Sequence, residues 1–316
     1  MNQSDISIIR SVNITDTDDN GGRANLASTV VSGVKFNLFP RVTSAERETG
    51  VTRYRKAFIA NSNVNGETAY SACVCIGTPG NGQDRFYIAQ AGMADTQAEL
   101  PDEWTGCGKL TQSATAGDES ITLLFKSSDY SIPEGALLLI RDDEKSCNMR
   151  VASVSRNVNT ATVSLVGQLP HSFEANAAYA GVMLELGDLE PVLESASLNS
   201  LTGAFDHELV VLANGGTEYD TFSLTFTSSI SFSATGLYAG TLPSGQSTAQ
   251  YAPLNSKTGK PYFTIPAEAW SGAFEAGNSL TLVTLPSAKG FWLKEVVPAG
   301  CPHEPDNRIT LEWQID

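Results

Sequence analysis

The sequence predicts an all-β protein, with two β-sandwich-like domains, a small β-barrel domain between them, and few short helices. Three observations carry that expectation. Short runs alternate apolar or β-branched side chains with polar ones, clusters of Gly, Pro and Asn punctuate those runs, and apolar spacing at the helical period is nearly absent. A hydrophobic content of 41% with 17% charged residues belongs to a folded chain, and 316 residues suffice for two or three cores.

Residues 1–109 are expected to form the first domain. Ile6, Ile8 and Ile9 open it, Thr15–Gly22 is a polar loop, and apolar character resumes at Val30 and Val31. Thr43 and Glu46 have the spacing of a capping box, in which hydroxyl and carboxylate each accept a backbone N–H of the other residue, so a short helix should run through SAERETG and stop at Gly50. The run Thr52–Asn61 then alternates Tyr54, Lys56 and Phe58 on one face with Arg53, Arg55 and Ile59 on the other. A turn at Asn61–Gly66 leads to a mainly apolar strand, Tyr70–Thr78. Gly80-Asn81-Gly82 turns the chain again before Arg85–Gln90.

Residues 110–190 read as a small barrel. Ile121, Leu123 and Phe125 alternate, Gly135–Ile140 is continuously apolar, and Val151–Ser155 and Ala161–Val166 flank a turn at Arg156–Thr160. Gly187–Pro191 should close this unit.

Residues 191–316 form the third unit. His207–Ala213 is expected as a strand, Asn214-Gly215-Gly216 as a turn, Thr221–Thr227 as a strand, and Gly236–Ser247 as a Gly- and Ser-rich loop. Leu280, Leu282 and Thr284 alternate with Thr281, Val283 and Leu285, so both faces of that strand should be covered. Phe291-Trp292-Leu293 runs into Val296-Val297 and ends at Pro298. Leu311–Ile315 is the last strand.

The net charge of −15 is unevenly spread. Residues 1–109 hold 12 acids and 10 bases, whereas residues 110–316 hold 23 acids and 10 bases, and no Lys or Arg lies between Arg156 and Lys257. Such a surface repels phosphate backbones, which argues against nucleic-acid binding by the second half. The start MNQSDISIIRS lacks the order of a secretory signal, and no run approaches the ~18 apolar residues of a membrane helix. Synthesis in a cytoplasm without membrane insertion is therefore expected.

Five cysteines, an odd number, argue against a complete disulfide framework. Cys73 and Cys75 should face one side of a strand as small buried hydrophobes. Asp16, Asp18 and Asn20 match the opening of a helix-flanked calcium loop, but its twelfth position is Ala27 and no helices flank it, so calcium is a weak candidate. Asp206-His207-Glu208 has no nucleophile context, and paired carboxylates such as Asp142-Asp143 sit in polar turns. No catalytic residue and no cofactor is assigned. Trp104, Trp270 and Trp292 lie beside turn-bounded strands, where a core or interface anchor is expected ahead of a sugar-stacking platform.

Two stretches carry a family resemblance. Gly33–Pro40 (GVKFNLFP) and Thr52–Asn61 (TRYRKAFIAN), together with the run from Asn214-Gly215-Gly216 through PYFTIPAEAW to VVPAG, resemble structural proteins from the tail modules of contractile-tailed bacteriophages. The resemblance covers most of residues 30–90 and 200–300, and it marks no chemical site. It implies a tail or baseplate component of the virion, of the ripcord type that links tube and sheath, made in the host cytoplasm and assembled as a homo-oligomeric, sixfold ring. Partners would be tail tube, sheath or baseplate proteins. On that reading Arg41, Arg47, Arg53, Arg55 and Lys56, with Trp270 and Trp292, are the interface candidates. The alternative is a receptor- or glycan-binding appendage such as a tail fibre or spike, although no repeat of the kind that builds fibres is present.

Overall fold

The computed structural model describes residues 1–316. In chain order the first elements are β1 (Ile6–Asn13), β2 (Gly21–Thr29), α1 (Ser44–Thr49), β3 (Val51–Asn61), β4 (Ala69–Thr78), β5 (Arg85–Ala91) and β6 (Cys107–Leu110). Next come β7 (Ser120–Leu124), β8 (Leu137–Arg141), β9 (Ser146–Asn157), β10 (Thr160–Leu165) and β11 (Tyr179–Leu189). The last third holds β12 (Val192–Asn199), β13 (Gly203–Phe205), β14 (Asp220–Phe226), β15 (Ser231–Gly236), β16 (Gly240–Gln246), β17 (Trp270–Gly272), β18 (Ser279–Leu285), β19 (Ala288–Val297) and β20 (Thr310–Gln314). The protein is all-β, as its alternation implies.

The first layer is a five-stranded sheet in the order β2-β1-β3-β19-β5. It packs against β4 and β11, with Ala57, Ile59, Phe86, Ile88, Phe291 and Leu293 from one side meeting Ala72, Val74, Ile76 and Leu186 from the other. The opposite face is covered as well, because Tyr87, Ala89 and Trp292 join the cluster that includes Trp104 and Tyr130. Burial on both faces explains why β3 is closed to solvent almost throughout.

The barrel is a closed ring of six strands, β11-β6-β7-β10-β9-β8. Its closing strand does double duty: Tyr179–Met183 pairs with β8, and Leu184–Leu189 continues out of the barrel to pair with β4. Gly181 sits where the two bodies meet. A Cβ there would lie 2.3 Å from the Ile76 carbonyl oxygen, so only hydrogen lets β4 and β11 approach this closely.

The third body is a sheet in the order β12-β18-β14-β15-β16, capped by the β13-β17 pair and held by an aromatic core. Phe226 stacks on Phe274 at 4.3 Å, and Trp270 meets Phe226, Phe232 and Phe274 at 5.5–5.6 Å.

Four expectations are revised. Ala288–Val297, placed by sequence with the C-terminal unit, is instead the neighbour of both β3 and β5, and Thr310–Gln314 extends the sheet of β4. The reason is register: the alternation of β19 offers Phe291 and Leu293 to one core and Trp292 to the other, which suits a doubly covered central position. His207–Leu209 is a 3-10 turn because the Asp206 carboxylate accepts the Glu208 N–H (3.1 Å). Gly240–Gln246 is a strand and not a loop; Pro243 is tolerated because β16 is at the sheet edge. Finally, β18 buries Leu280, Leu282 and Thr284 and leaves Thr281, Val283 and Leu285 half-covered, since one face of the third sheet has no second layer.

Candidate functional site

Three of the five cations singled out in the sequence are spent inside the fold. Arg53, Arg55 and Lys56 are 5%, 6% and 2% exposed. Arg53 pairs with Glu46 and, across the sheet, with Glu295, while Arg55 reaches Asp16 at 2.7 Å and Lys56 reaches Asp95. Each therefore has an internal acid, and as isolated charges none could be buried at tolerable cost. Their charges are engaged within the chain as fasteners between strands. Trp270 (8% exposed) and Trp292 (0%) are likewise core anchors, and Trp104 (7%) offers no open sugar-stacking face.

Electrostatics follow from this placement. Burial works against the Arg53 charge, yet the hydrogen bond it donates to Glu46 and the attraction of Glu295 and Glu46 outweigh it and hold the guanidinium above its usual range. Glu295 moves the other way. Its carboxyl is pushed up to about 7 by burial, which exceeds the attraction of Arg53 at 3.3 Å. Glu46 is held down to about 2 by the Thr43 backbone N–H, then by the Thr43 hydroxyl and Arg53. The capping box expected at Thr43 and Glu46 is formed.

The calcium candidates do not converge. Asp16 is engaged by Arg55, and Asn20 turns fully inward, donating to the Tyr54 carbonyl and to Gln97 (both 2.9 Å) while accepting the Thr15 N–H. Cys73 and Cys75 do share a strand face, packed with Leu139 and Met183, and burial raises both thiols. A surface depression of about 270 Å³ is lined by Arg141, Asp142, Lys145 and Glu312, with Arg141 already paired to Glu312.

The feature that remains turned outward is the segment between β2 and α1. Arg10 on β1 clamps its base: Nε and Nη2 donate to the Asn37 carbonyl at 3.0 and 2.5 Å, and Nη1 donates to the Thr29 carbonyl at 2.8 Å. Asn37 in turn donates to the Val31 carbonyl. Leu38 and Phe39 pack onto the sandwich core, with Phe39 6.0 Å from Phe86. Beyond this anchored base, Val31, Val34 and Phe36 stand 58%, 54% and 61% exposed, beside exposed Lys35 and Arg41. Phe36 also has φ 60°, a left-handed conformation that costs an aromatic residue roughly 1–3 kcal/mol. Of the five sequence-selected cations Arg41 alone is fully at the surface; Arg47 is half-buried, donating to the Val42 carbonyl and the Ser44 hydroxyl.

A second outward apolar group lies on the third body. Leu201, Leu209 and Val211 are exposed there, with Asp206, Glu208 and Glu268. The bond from Asp206 N–H to the Ala269 carbonyl (2.9 Å) and the bridge of Val211 with Thr264 place Leu209 and Val211 beside the turn that carries Glu268, while Leu201 precedes the other end of β13. Sequence reading missed this face because its apolar residues are single and separated by polar ones.

The bodies are tied by buried polar contacts. Glu218 is 1% exposed and pairs with Arg23 of β2 at 2.9 Å and with Lys257 at 3.1 Å, while Arg23 lies over the Tyr238 ring at 4.6 Å. Nearer the surface, Lys260 Nζ donates to the carbonyls of Ser62 and Asn214.

No family model matches the chain, and no curated protein matches it. Among solved structures, VP17, a capsid protein of bacteriophage P23-77, aligns over 78% of this chain and 88% of its own at 8% identity, with a TM-score of 0.15. At that score the likeness establishes neither fold nor function.

Proposed function

We propose that this chain is a structural protein of a bacteriophage virion, a component of the tail or baseplate that assembles as a ring and joins tube, sheath and baseplate components without catalysis. The sixfold ring order and the ripcord-type position belong to this proposal. The observation that carries it is the adjacency of the two stretches that bear the resemblance to tail-module proteins. Thr52–Asn61 and Ala288–Val297 are hydrogen-bonded neighbours, with Lys56 opposite Trp292. The first resembling stretch thus lies beside the end of the second, while Asn214-Gly215-Gly216 and PYFTIPAEAW belong to the third body. Charged side chains invested in cross-links between bodies, as at Glu218 with Arg23 and Lys257, are consistent with a part that works by holding its shape. Cryo-microscopy of the intact particle tests the reading. Density for this fold in a closed ring at the tail supports it, and density for this fold in the head shell or in a fibre contradicts it.

A further inference from the structure

We propose that the strap spanning residues 31–41 of one copy docks on the acidic apolar face at residues 201–211 of the third body of a second copy. This inference rests on the reading that the chain works by assembly, and it names the contact. The strap carries Val31, Val34 and Phe36 together with two exposed cations, Lys35 and Arg41. The face carries Leu209 and Val211 among Asp206, Glu208 and Glu268, with Leu201 exposed at the far end of β13. Their charges are opposite, and no Lys or Arg occurs between Arg156 and Lys257 or between Lys260 and Lys289 to neutralise the face from its own segments.

Within one chain the two patches do not cover each other, since Phe36 is 61% exposed and Leu201 fully exposed. A basic apolar patch and an acidic apolar patch at different places on one surface define a head-to-tail contact, which propagates until rotation closes it into a ring. The Arg10 clamp and the left-handed Phe36 backbone hold the aromatic ring outward before any partner arrives, so little ordering entropy remains to be lost on docking.

The test uses the purified full-length chain. Phe36 is replaced by a photo-reactive phenylalanine analogue, and cross-linked peptides are mapped. In parallel, self-association is measured by sedimentation for Lys35→Glu/Arg41→Glu, for Glu208→Lys/Glu268→Lys, and for an equimolar mixture of the two. Cross-links to residues 201–211 or 267–276 of a second copy are expected. Each charge reversal should weaken association about tenfold or more, and the mixture should restore it. Circular dichroism checks that the variants, altered at exposed positions, remain folded. Cross-links elsewhere, no association of the wild-type chain, or reversals that leave association unchanged would overturn the proposal. Particles that contain the chain with residue 36 cross-linked to a different protein would overturn this contact while leaving the virion role standing.

Discussion

Arg53 and Glu295 face each other as register partners on β3 and β19, 242 residues apart in the chain, with Nη1 3.3 Å from Oε2 and both side chains 5% exposed. The pair joins the beginning of the protein to its end, and Glu46 extends it to the helix α1. Because Arg53 is shared by two acids, its loss leaves both without their cation.

Arg53→Met is expected to destabilise the chain by about 2–4 kcal/mol, since a buried carboxylate would lose its partner and must take up a proton or remain uncompensated. Chemical denaturation checks it. A cost under about 0.5 kcal/mol, the usual range for surface positions, would mean that the pair does not fasten the sheet.

The pH dependence has a definite sign. Glu295 is raised from 4.5 to about 7 by burial, so the folded chain keeps a proton that the unfolded chain has released. Its contribution to stability is full below 4.5 and is lost as pH rises through 7. Glu46, held down to about 2 by the Thr43 N–H, contributes above 4.5, and that is lost as pH falls through 2. Between pH 5 and 7.5 the wild type should lose about 1–3 kcal/mol relative to Glu295→Gln. Parallel stability curves for the two chains would refute the assignment.

Gly21 and Gly33 offer a contrast. Both have positive φ, +105° and +79°, yet a Cβ on Gly21 would lie 2.6 Å from the Trp292 ring and 3.0 Å from the Asp95 carbonyl, whereas Gly33 has nothing within 4 Å. Gly33→Ala should cost only the left-handed backbone, about 1–2 kcal/mol. Gly21→Ala adds displacement of a fully buried indole and should cost at least about 1–3 kcal/mol more. Equal melting shifts for the two would show that β2 does not press on Trp292.

The thiols should separate by position. Cys75 and Cys107 are buried, and burial raises both thiols well above their ordinary range, while Cys147 is half-exposed. Brief alkylation of the native chain should label Cys147 ahead of the rest, with Cys75 and Cys107 reacting after denaturation. Mass mapping that finds Cys75 labelled first would contradict the packing of β4.

Much of the strand content was legible because alternation is local. Ile121 with Leu123, and Phe222 with Leu224, report a covered face from their own spacing, and Thr43 with Glu46 reports the start of α1. What spacing cannot carry is pairing at a distance. Arg53, Arg55 and Lys56 look like a solvated cationic run until Glu295, Asp16 and Asp95 are brought alongside by the fold. For the same reason Ala288–Val297 read as a strand of the third body, and β11 went unrecognised as the element shared by barrel and sandwich. The strap was visible as a resembling run, but its outward set depends on Arg10, some 27 residues away from Asn37.

The central claim is that the chain is a building part of the particle. Quantitative mass spectrometry of tails purified from a phage whose genome encodes the chain tests this most directly. The account expects the chain in fixed, multiple copies per tail that survive salt washing with the tube proteins; its absence from purified particles, or a trace removed by washing, would contradict it.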